Sequence, residues 1–195
     1  MTIVSRLFGR RDDKPKVAKT NTITNPLRIF HPVAGFICVE PELQSLMEAD
    51  KSTLGPLFSQ VRSSPEGIVP CHVLFLYCKV DRDGSLPGSK LRIRDFVKAS
   101  GARVAIVASE NDGAHYLHAL EPKNNWPANI VLVFNRHGTA FAVFFQRLIE
   151  AMKDGTSMLM AWVKLAPQDS GRASIHRECP GTIMIAEAGH IALDG

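Results

Sequence analysis

Cys71-His-Val-Leu-Phe-Leu-Tyr-Cys78 and Ala102-Arg-Val-Ala-Ile-Val-Ala-Ser109 are two short runs, apolar on both alternating sets of positions. That pattern belongs to strands covered on both faces, as in a largely parallel sheet. Between them lie a charged turn, Asp81-Arg-Asp-Gly84, and an amphipathic helix pattern, Leu91-Arg-Ile-Arg-Asp-Phe-Val97, which leads to Ser100-Gly101. A strand, a helix and a second strand at this spacing imply a crossover connection. The carboxyl ends of the two strands then lie side by side, about 4.8 Å apart.

The same alternation extends outward. Val33–Val39 reads as an earlier strand stopped by Pro41, and 129–134 as a third run like the first two. Residues 42–49 and 53–61 suggest two helical pieces broken at Gly55-Pro56. Thr139 to Lys153 is the strongest helix pattern: Phe141, Phe144, Phe145, Leu148, Ile149 and Met152 share one broad face. Thr139 suits its N-cap and Gly155 its stop. A further helix over 156–164 and a last strand over 182–186 complete the expectation of one α/β domain at 26–195.

Composition agrees with that class. The chain has 195 residues, 45% hydrophobic and 22% charged, enough to bury a core without staples. Its four cysteines (Cys38, Cys71, Cys78, Cys179) form no CxxC pair or framework spacing. With no secretory segment and no long apolar run, a cytoplasmic setting is expected. Residues 1–25 hold six basic and two acidic side chains, which equals the whole formal +4 and leaves the rest neutral. A neutral body has no basic stripe for phosphate backbones, so specific nucleic-acid binding is not expected. Residues 1–25 read as a disordered basic leader, with a membrane-surface contact through residues 1–11 left open.

The order of elements from Cys71 to Asp112 resembles the core of CHAT and caspase-like cysteine peptidases. The Phe-rich helix, the Lys153-Asp-Gly-Thr-Ser157 turn, the Ala161-Trp-Val-Lys-Leu segment and the 182–192 stretch are similar to the later part of a CHAT domain. The resemblance covers roughly residues 70–192 and implies a three-layer caspase-like fold with a mostly parallel central sheet. In that family a His-Gly ends the first of the two strands and an Ala-Cys ends the second, serving as base and nucleophile. Here those places hold Lys79-Val80 and Ala108-Ser109.

The replacement changes the chemistry. A thiol ionises near pH 8.5 and an imidazole lowers that further, whereas serine needs a well-placed base. Lysine serves as that base only where burial or a neighbouring cation disfavours its charge. Lys79 and Ser109 are therefore the candidate dyad positions, with Asn135, Arg136 and His137 the groups that could meet them and His137 the other candidate base. Cys78 reads as a buried structural thiol. His115 and His118 lack partners for a metal site, so neither a metal nor a cofactor is expected.

Three functional classes stand open on the residues. The first is a catalytically inactive caspase-like domain that binds or regulates another protein, an active homologue or its own copy. The second is a hydrolase using Ser109 with Lys79 or His137. The third is an α/β module that binds a small molecule in the strand-end crevice. Loss of both diagnostic residues favours the first.

Overall fold

The computed structural model describes residues 26–64, 67–81, 85–87, 91–109, 126–133, 136, 139–165 and 182–195. Its strands are β1 (Leu27–Phe30), β2 (Val33–Cys38), β3 (Gln60–Ser63), β4 (Val73–Tyr77), β5 (Val104–Ala108), β6 (Asn129–Val133), β7 (Thr182–Ala186) and β8 (Ile191–Asp194). The helices are α1 (Gln44–Leu54), α2 (Ile93–Ser100), α3 (Ala140–Lys153) and α4 (Met158–Leu165). Six strands form one sheet in the order β3-β2-β4-β5-β6-β7. The first five run parallel, and β7 closes the edge antiparallel to β6. The protein is thus an α/β fold around a mostly parallel sheet.

Burial on both faces explains the continuous apolar runs. All five residues in each of β4, β5 and β6 are buried. One set of side chains (Phe36, Phe75, Tyr77, Ile106, Val131) packs with α1, α3 and α4. The alternate set (Ile37, Leu74, Leu76, Val107, Leu132) packs with α2. Three layers result. On the first face Phe36 and Phe75 stack at 4.6 Å, and Phe144 sets its ring at 90° to that of Phe145. Burying each such side chain contributes about 1.5–3 kcal/mol, which is why the apolar stripe of α3 organises this layer.

Local signals set the helix ends. The Asp95 carboxylate accepts the Arg92 backbone N–H at 2.9 Å at the start of α2, and Gly101 ends it at φ 70°. Gly155 stops α3 at φ 85°, a left-handed conformation that costs glycine little. Thr139, expected to cap α3, has helical backbone angles and makes no side-chain capping bond.

Two expectations change. Residues 53–61 are not a second helix: α1 runs on to Leu54, a single 3-10 turn occupies Gly55–Leu57, and Gln60–Ser63 forms the edge strand beside β2. Pro56 fits the first turn of a short helix, where its missing N–H has no partner to lose. The chain also does not close on β7. The last strand is β8, which pairs in parallel with β1 as a separate two-stranded sheet, and its Ile191 and Leu193 join the core under α3.

Candidate functional site

The carboxyl ends of the parallel strands form one edge of the sheet, where side chains leaving neighbouring strands can meet. Tyr77 of β4 lies opposite Ala108 of β5, and the Cys78 N–H donates to the Ala108 carbonyl at 3.2 Å. Lys79 and Ser109 therefore leave adjacent strand ends.

Their surroundings differ. Tyr77 and Ala108 belong to the α1 face, Cys78 and Val107 to the α2 face. Two residues beyond Tyr77, Lys79 falls back to the α1 side. Lys79 accordingly reaches Glu42, in the turn just before α1, with Nζ 2.5 Å from Oε2. That ammonium holds the Glu42 carboxyl below its ordinary value, chiefly through the hydrogen bond. A carboxylate so placed favours charged lysine, the reverse of what a lysine base requires. Ser109 is fully buried, with no solvent exposure. Cys78 is equally buried, and desolvation pushes its thiol far up, so it is no thiolate nucleophile.

A different polar cluster occupies the α1 side of this edge. Asp50 on α1 accepts from the Tyr77 hydroxyl at 2.7 Å and from Arg136 Nε at 2.8 Å, and its second oxygen accepts from Arg136 Nη2. All three residues are buried. The guanidinium also lies 4.5 Å from the centre of the Phe141 ring, a cation–π distance. Burial and the Asp50 charge raise the Tyr77 phenol well above its ordinary value. Arg136, expected in the cleft, is instead a buried tie between the end of β6 and α1. Its bidentate geometry suits holding those elements in register. Asp50 and Tyr77 escaped the sequence reading. An acidic residue on an apolar helix stripe, between Met47 and Leu54, was the available signal.

At the carboxyl end of β2 a cavity of about 820 Å³ opens. Neither Lys79 nor Ser109 lines it. Cys38 does, half-buried, with its thiol donating to the Glu40 carbonyl at 2.9 Å. Desolvation raises that thiol. Asn135, His137, His115 and His118 lie outside the described residues, as do residues 1–25 and Cys179. Among the described residues no cluster of side chains could hold a metal ion, and no helix is long and apolar enough to cross a membrane. No protein-family model matches the chain, and no curated protein matches it.

Proposed function

We propose that this chain is a caspase-like domain of the CHAT type without peptide-bond chemistry, acting in the cytoplasm as a protein-interaction or regulatory module. Its partner is another protein, either an active homologue or a second copy. The reading is carried by one observation: Lys79 turns to Glu42 on the α1 side while Ser109 is wholly buried at the end of the adjacent strand. A nucleophile needs a base within hydrogen-bond reach and a path for the substrate carbonyl. Two neighbouring parallel strand ends support the kinship, and the residues standing there support the loss of activity.

A fluorophosphonate probe incubated with the full chain tests the reading. No labelling of Ser109 is expected. Stoichiometric labelling abolished by Ser109→Ala would overturn the reading and establish a serine hydrolase. Exposed apolar side chains on β1, Leu27 at 52% and Phe30 at 64%, are consistent with a contact surface. A second copy as partner predicts a monomer–dimer equilibrium in sedimentation velocity over a concentration series.

A further inference from the structure

We infer that the cavity at the end of β2 is a binding site for a mainly apolar small molecule, separate from the Lys79 and Ser109 positions. Topology comes first. From β2 the chain passes to β3 on one side and then returns to β4 on the other. The strand order therefore reverses at β2, and in open parallel sheets a crevice forms beyond the carboxyl ends at such a reversal. Its walls come from both diverging connections: Cys38 and Gln44 follow β2, Ser64 and Ile68 follow β3, and Leu91 and Phe96 enter from the α2 side.

Size and chemistry then narrow the ligand. About 820 Å³ falls in the range of roughly 300–1,000 Å³ typical of sites that enclose a drug-sized molecule. Among the described residues the lining is mostly apolar, with Ile37, Val39, Pro41, Ile68, Leu91 and Phe96, so burial of apolar ligand surface is the main contribution such a site can make. Val39 and Leu91 at its edge are 36% and 41% exposed, apolar surface that a ligand would take out of water. Gln44, Ser64 and the Cys38 thiol supply the few polar groups that orient such a ligand. A smaller cavity of about 320 Å³ shares those same three residues, which places Cys38 at the junction of the two and makes its thiol a reporter of occupancy.

The test uses the full chain carrying Cys179→Ser and the neutral apolar dye N-phenyl-1-naphthylamine, whose fluorescence rises when it leaves water. Saturable binding of a single dye per chain is expected, with modification of Cys38 by N-ethylmaleimide slowed in proportion to dye bound. Leu91→Trp, which fills the mouth from an exposed position, should weaken binding by about tenfold or more with an unchanged circular dichroism spectrum. Absence of saturable binding overturns the inference. So does dye binding that leaves the Cys38 rate unaltered, a readout needing no variant at position 91.

Discussion

Replacing Asp50 by asparagine preserves shape and removes the charge that three buried donors share: the Tyr77 hydroxyl, Arg136 Nε and Arg136 Nη2. The guanidinium then stays interred beside Phe141 without its counter-ion. Breaking one side of a buried pair costs about 3–5 kcal/mol, mostly for the charge left behind. Removing only the Tyr77 hydroxyl, in Tyr77→Phe, should cost about 1.5–3 kcal/mol because its acceptor is ionised. With a urea slope of about 2 kcal/mol per molar, Asp50→Asn should lower the unfolding midpoint by about 2 M. The assay is equilibrium urea unfolding followed by circular dichroism. The double variant Asp50→Leu with Arg136→Met removes both charges together, so its cost should fall well short of the sum of the two single changes. A loss below about 1 kcal/mol for Asp50→Asn, or strict additivity in the cycle, would refute the view that this pair locks the edge of the sheet.

Two further outcomes follow from single contacts. His72 Nδ1 accepts the Val33 N–H at 3.0 Å, and burial, with Arg62 nearby, holds the imidazole below its ordinary value. Its folded value lies under the unfolded one, so its contribution to stability is full above about pH 6.5. It begins to be lost as the pH falls past that point and is gone below the folded value. Urea midpoints between pH 7.5 and 5 should therefore decline in the natural chain and decline less in His72→Asn; equal slopes would exclude His72 as the titrating group. Gly35→Ala would set a methyl 2.7 Å from Cys71 Sγ and 3.0 Å from its Cβ, an overpacking worth about 1–3 kcal/mol. Cys71→Ala in the same chain should recover part of that loss in urea unfolding, and no recovery would show that the clash is relieved elsewhere.

The elements legible from local pattern were those with strong periodicity. Val73–Tyr77, Val104–Ala108 and Asn129–Val133 are strands because apolar residues fill both faces, and the Phe-rich Ala140–Lys153 is a helix because its repeat fits 3.6 residues per turn. Gln60–Ser63 and Leu27–Phe30 lack that signature. Each is a four-residue edge strand, mostly exposed, and is held by hydrogen bonds to a partner distant in sequence. That Lys79 and Ser109 leave neighbouring strand ends was legible; what each side chain meets was not. Two adjacent strand ends do not fix what each side chain meets: Lys79 pairs with Glu42, and Ser109 is buried.

Composition and periodicity were sufficient for the class of the molecule: α/β, with buried strands and one dominant amphipathic helix. Which residues share an environment was a matter of three-dimensional packing. Asp50, Tyr77 and Arg136 stand 27 and 86 positions apart along the chain from their hydrogen-bond partners, and Cys38 meets Phe96 only across a cavity. Periodicity records how a segment faces its surroundings. It carries no record of which distant segment supplies them, because that depends on strand order and crossovers set by burial of the whole chain.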